Sequence, residues 1–189
     1  MLANLFSELG RYDEAIKTLE PLNDISAAFA AASMYMSRNQ FVEAANQYES
    51  LVAMLPEDAA DRTVRVFRPD TSRPGLTEIA LPRHAFFEQY SECLARSDRP
   101  AEAQSVFDRL PLPQDDRDRA ARALIQSMIY AGFATEKYRD NQDGMAEESS
   151  ALEQLALAKR LLPRDIGPRL LEATIYTERY RRTGDKETY

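Results

Sequence analysis

GRYDEAIKTL at residues 10–19 and NQFVEAANQY at residues 39–48 are two versions of one pattern. Each puts a turn residue two positions before an aromatic, an alanine three after it and a large residue four further on. These are Gly10, Tyr12, Ala15 and Leu19 in the first, and Asn39, Phe41, Ala44 and Tyr48 in the second. Steps of three and four bring the last three residues of each set onto one face of a helix. A Gly or Asn just ahead of them tolerates the left-handed conformation that ends a preceding helix. Each stretch therefore reads as the break after one helix and the first turns of the next, and the second runs on to close at Leu55-Pro56.

Outward from these stretches the same reading continues. Residues 2–9 form the end of a helix with Leu2, Leu5, Phe6 and Leu9 on one face, and a second helix runs from Asp13 to about Leu22. Asp24 or Ser26 caps a third through Ser37, whose packing side carries Ala28, Ala31, Ala32 and Tyr35; a fourth spans Phe41 to Leu55. Small side chains let antiparallel helices approach, and Ala15 with Ala3, or Ala44 with Ala32, supply such sites. HAFFEQYSECLARSDRPAEAQSVFDRLPLP, from His84, repeats the arrangement with Ser91 at the small site, Leu94, Asp98 at the turn, Pro100 in place of the aromatic, then Ala103, Phe107 and Leu110. A looser copy pairs a helix over Asp118–Phe133, carrying Leu124, Met128 and Gly132, with another over about Ala146–Leu162, carrying Ala151, Leu155 and Ala158 before Pro163. A last helix, from Gly167 or Pro168 to about Arg182, has Ala173, Tyr176 and Tyr180 in the packing slots and Arg169, Glu172, Arg179 and Arg182 on a polar outer side; Gly184-Asp185 resembles the turn again.

The pattern resembles the tetratricopeptide repeat, a helix-turn-helix unit of about 34 residues. The resemblance implies an all-α fold: a right-handed α-solenoid of antiparallel helix pairs. Residues 1–24 would be a truncated first repeat, 25–58 a second, 59–83 an insertion, 84–115 a third, 116–163 a degenerate fourth with an inserted loop, and 164–189 a capping helix and tail, all in one domain. It also implies that the first helix of each pair lines a concave groove. Asn4 and Ser7 fall there from the first pair, Phe29, Ser33, Met36 and Ser37 from the second, Glu88, Glu92 and Arg96 from the third, and Arg122, Gln126 and Ile129 from the fourth. Family members that hold a C-terminal carboxylate use Lys, Asn and Arg on these faces; from the first two pairs only Asn4 matches and Lys is absent, which argues against that mode. The expectation is a scaffold that binds a protein or peptide partner through apolar contact. An oligomerising structural subunit, or a regulatory fragment of a larger protein, are the alternatives, and oligomeric state is left open.

Residues 59–83 are too many for an inter-repeat turn. Thr63–Phe67 and Thr77–Leu81 are rich in β-branched residues around turn-forming RPDTSRPG, so the segment reads as either an inserted β-hairpin or a loop; a helix over Asp58–Phe67 fits too. Arg62, Arg65, Arg68, Arg73 and Arg83 make it basic. Arg65, Arg68 and Arg73 are then either partner contacts on a flap or pairs for nearby carboxylates.

The sequence of 189 residues has a net charge of −7, which argues against a nucleic-acid binder, since neutralising phosphates needs a basic face. A lone cysteine, Cys93, allows no internal disulfide, and the first residues lack the basic start and apolar run of a secretory leader. With no apolar run long enough to span a membrane, a cytoplasmic location is expected. Cys93 lies nine residues after His84, the only histidine. Nine residues turn a helix through about 900°, to the opposite face. The two therefore form no local pair: Cys93 reads as a small buried residue and His84 as a surface residue. There is no zinc spacing, phosphate loop or nucleophile elbow, so no catalytic, cofactor-binding or metal-ligating residue is assigned, and no cofactor. Asn141-Gln142-Asp143-Gly144 fails as a calcium loop because Arg139 and Ser150 fall on its first and last ligand positions; Asp143 reads as a helix cap. The carboxylates, including Asp115-Asp116 and Glu147-Glu148 at helix starts, read as solvated faces.

Overall fold

The computed structural model describes residues 2–55, 63–69 and 75–183; Pro56, Arg62, Arg73 and the Gly184-Asp185 turn lie outside them. The protein divides into two compact units, Met1–Ser97 and Asp98–Tyr189, so the division falls inside the third pair read from the sequence.

The first unit contains α1 (Leu2–Glu8), α2 (Tyr12–Leu19, prolonged by a 3-10 turn at Glu20–Leu22), α3 (Ile25–Ser37), α4 (Phe41–Met54), β1 (Thr63–Pro69), β2 (Leu76–Pro82) and α5 (Arg83–Arg96). Successive helices pack in pairs, α1 on α2, α2 on α3 and α3 on α4, with α4 also against α5. Their turns share one device. Gly10 has φ +68°, its N–H donates to Ser7 O at 3.0 Å, and Arg11 N–H reaches Phe6 O at 2.8 Å. This left-handed closure satisfies carbonyls that a helix end leaves unpaired. Asn39, at φ +58°, repeats it with Met36 O at 3.0 Å and Gln40 N–H on Tyr35 O at 3.0 Å.

Asp24 caps α3, its Oδ1 accepting Ala27 N–H at 3.0 Å. The α3 sequence ISAAFAAASMYMS buries Ala27, Ala28, Phe29, Ala30, Ala31, Ala32 and Met34, so over residues 27–32 the helix is enclosed all round rather than along one stripe. Alanines suit that position because α2, α4 and β1 all lie close to it. Phe29 locks three helices together: its ring meets Tyr48 of α4 edge-on at 6.2 Å and Phe86 of α5 at 5.4 Å. On α1, by contrast, only Ala3 and Ser7 are buried; Leu2, Leu5 and Leu9 point outward.

β1 and β2 pair as antiparallel strands of a hairpin, from Thr63 opposite Pro82 to Pro69 opposite Leu76. Thr63–Phe67 is strand, which replaces the helical reading of that stretch. β-branched Thr63, Val64 and Val66 favour the extended form.

The second unit holds α6 (Pro100–Phe107), α7 (Asp116–Arg139), α8 (Met145–Leu161) and α9 (Gly167–Thr183). Asp115 caps α7 by accepting Asp118 N–H at 2.8 Å. Residues 134–139, expected in a loop, continue α7: Ala134 is buried, and Lys137 and Arg139 suit the negative end of the helix dipole. Asn141, at φ +56°, then closes the helix as Gly10 closes α1, with Asn141 N–H on Tyr138 O at 3.2 Å and Gln142 N–H on Lys137 O at 2.8 Å. Asp143 accepts Met145 N–H at 2.9 Å, while the cap position itself belongs to Gly144. Ala151, Leu155 and Ile175 form the core between α8 and α9, so α9 is anchored by Ile175, and Ala173, expected to pack, is exposed.

Glu148 is not solvated. It is 3% exposed, its carboxylate accepting from Arg179 Nε, from Arg182 Nη2 at 2.6 Å and from Tyr138 OH at 3.1 Å. Arg179 thus turns inward, not outward as its place on a polar capping face implied, whereas Arg182 reaches Glu148 from an exposed position. Arg182 also stacks on the Tyr138 ring, 3.4 Å from its centroid.

Candidate functional site

The expected partner surface is the first-helix face, and in the first unit this means α1, α3 and α5. The hairpin lies against that face: β1 runs along α3, while β2 meets α1 and α5. Val66 is fully buried, and burying a valine side chain stabilises by roughly 1.5–3 kcal/mol. Two short polar residues hold the hairpin backbone. Ser26 Oγ donates to Arg65 O at 3.1 Å, and Asn4 Oδ1 accepts Leu76 N–H at 2.7 Å. Asn4 donates in turn to Glu8 Oε1 at 2.8 Å. Gly75, at φ +122°, precedes this contact, and a Cβ there would sit 3.2 Å from Glu8 Cγ. Only glycine supplies both the backbone conformation and the close approach.

The hairpin does not fill the space that it covers. A cavity of about 420 Å³ remains between it and the helices, with Ala27, Ala30 and Leu19 on the helical side and Phe67 and Leu76 on the hairpin. Leu22 also lines it and is 58% exposed; Phe67 is 39% exposed. The polar groups at its edge have partners already: Asn4 and Ser26 hold the hairpin, and Asp24 Oδ1 caps α3. What the cavity offers an incoming group is therefore mainly apolar surface.

The groove residues expected from the sequence scatter across different roles. Asn4, Ser33, Met36, Glu88 and Glu92 are half-buried on α1, α3 and α5, and Ser37 is exposed. Glu92 binds Arg96 at 2.9 Å, and the Arg96 guanidinium lies 4.9 Å from the Phe41 ring centroid. Phe29 is corrected: at 2% exposure it belongs to the core of the unit and not to a partner surface. Arg122 is corrected likewise. It is 8% exposed, and its guanidinium donates to Pro111 O, tying α7 to the segment before it. Ile129 is fully buried and Ser7 nearly so, while Gln126 is half-buried and near Tyr130 OH, at 3.4 Å. Arg122, Gln126 and Ile129 belong to the second unit. Of the insertion arginines, Arg65 is exposed and pairs with Glu78 across the hairpin at 3.5 Å, Arg68 is exposed, and Arg73 lies outside the described residues. Ser26, Leu22, Phe67 and Leu76 were missed. The available signal was Ala27 and Ala30, small residues off the packing stripe of α3 that mark a second covered side.

Cys93 is buried, and burial, with the Glu92 charge adding to it, pushes its thiol up to about 12. The thiolate is the reactive form, so the folded protein is expected to react with Ellman's reagent at pH 8 ~100-fold more slowly than the guanidinium-unfolded protein, or slower still; equal rates would contradict the burial. Among the described residues no group of three or more His, Cys, Asp or Glu converges to hold a metal, and no helix is long and apolar enough to cross a membrane.

Residues 1–21 match the family model of the tetratricopeptide repeat. No curated protein and no solved structure matches the sequence.

Proposed function

We propose that this protein, whose residues 1–21 match a repeat that generally mediates protein–protein interaction, is a cytoplasmic interaction scaffold that holds a peptide or protein on the first-helix face of its first unit, without turnover. The observation that carries the reading is the unfilled cavity of about 420 Å³ beneath the hairpin, lined from α1, the start of α3 and the end of α2 with its 3-10 turn, and apolar and open at Leu22 and Phe67. It falls in the range of roughly 300–1,000 Å³ typical of ligand pockets. Ser33, Met36, Glu88, Glu92 and Arg96 on α3 and α5, with Arg65 and Arg68 on the hairpin, are the further contacts this reading assigns to a partner. The test is selection of displayed peptides against the intact protein, followed by affinity measurement on variants. Leu22→Arg changes an exposed residue and so spares the fold. It is expected to weaken selected peptides ~10-fold, about 1.4 kcal/mol. Peptides indifferent to both Leu22→Arg and Glu92→Arg would place binding elsewhere.

Exposed Leu2 and Leu5 on α1, with Leu9 just past its end, favour a second reading, an oligomerising subunit. A monomer at high concentration in sedimentation would count against it.

A further inference from the structure

We infer that the first-helix face of α1, α3 and α5 is a receptor for an extended strand, and that the protein's own hairpin is its resident, incomplete ligand. The inference rests on the reading of this face as the binding surface and says what that surface recognises. Two of its polar residues address the backbone of the hairpin. Asn4 takes a backbone N–H and Ser26 gives to a backbone carbonyl, from the two strands of the hairpin. Backbone recognition of this kind suits any extended segment, with specificity left to the side chains that enter the surface. Among the described residues of the hairpin, Val66 is the fully buried side-chain anchor.

The fit is partial. Phe67 and Leu76 border the cavity but leave about 420 Å³ empty, close to three times the ~150 Å³ that accommodates a benzene. A strand with two or three large apolar residues in register with that space recovers contacts that the hairpin forgoes. The partner chemistry is therefore an extended apolar segment, and its binding displaces the hairpin. Because the hairpin is tethered, it competes at high effective concentration, so weak ligands are excluded and only segments that fill the cavity displace it.

The experiment uses the full-length protein and a fluorescent peptide with the sequence of residues 63–82, read by anisotropy. Val66→Asp places a carboxylate at a fully buried position and releases the resident hairpin while leaving α1, α3 and α5 unaltered. The peptide is expected to bind the Val66→Asp variant at least ~10-fold tighter than the unmodified protein, and adding Asn4→Ala and Ser26→Ala should remove most of that binding. A peptide carrying Leu76→Phe, with more apolar volume for the cavity, should bind tighter than the native sequence. Equal binding to the unmodified and Val66→Asp proteins, with helical circular dichroism intact, overturns the inference. Should Val66→Asp unfold the unit, Asn4→Ala/Ser26→Ala in the otherwise unmodified protein takes its place. Hydrogen exchange should then speed up in β1 and β2 but not in α4, and unchanged strand exchange overturns the inference. Failure of the two ideas is separable. A selected peptide that binds the face with strand amides still protected upholds the scaffold reading and sinks this one. Binding of the hairpin peptide in trans, with no peptide selected from a library, does the reverse.

Discussion

Phe29→Ala is expected to lower the stability of the first unit by ~3–5 kcal/mol, the range for truncating a buried phenylalanine. The ring is 2% exposed and touches the aromatic rings of α4 and α5 together, so its loss opens a cavity at the meeting point of three helices. Tyr48 cannot collapse into the gap freely, because its OH donates to Gln89 on α5. Phe29→Leu keeps part of the volume and should lose less. Urea denaturation followed by helical circular dichroism checks this. A loss below about 1 kcal/mol, with partner binding impaired, would return Phe29 to the groove surface where its position in the repeat first placed it.

Glu148→Ala is expected to have the second largest effect, about 3 kcal/mol, confined to the docking of α9. Removing one member of a buried ion pair typically costs ~3–5 kcal/mol because the other charge is stranded. Here the lower end applies. The Glu148 side chain is 4% exposed, whereas Arg179 and Arg182 are 23% and 32% exposed and can turn toward water. The readout is amide exchange in α9 relative to α7. Arg182→Ala added to Glu148→Ala should cost less than the sum of the two single losses, since the pair shares one interaction. Additive losses would show that the two residues act independently.

Much of the helical framework could be read from residues because its determinants are local. Gly10, Asn39 and Asp98 are left-handed turn residues in the structure, at φ +68°, +58° and +63°, and each was legible beside an apolar run. Asn141 does the same work after α7, but a polar cluster around it invited comparison with a metal loop, so α7 was ended a turn and a half early. Phe29 was misplaced by treating positions outside the packing stripe as open. The near absence of polar residues in Ala27–Ala32 was the contrary signal, since a helix without a polar side is enclosed. The Glu148 cluster joins residues 31 and 34 positions apart. No periodicity marks such a pairing, and charged residues at helix ends are ordinarily solvated. The candidate site was half legible: the insertion was recognised as a departure, but where a hairpin docks depends on tertiary contacts that local pattern does not encode.

The hairpin also sets an order of events during synthesis. The helical pairs close between near neighbours, whereas Ser26 meets Arg65 across 39 residues and Asn4 meets Leu76 across 72. Contacts so distant in sequence form late, and a nascent polypeptide growing at ~5–20 residues per second emerges N-terminus first. The paired helices α1 to α4 can therefore assemble seconds before β2 leaves the ribosome, with the Ala27 and Ala30 side of α3 uncovered in the interval. During that interval the newborn protein carries an open apolar face, and a chaperone or a waiting partner can reach it before its own strand does.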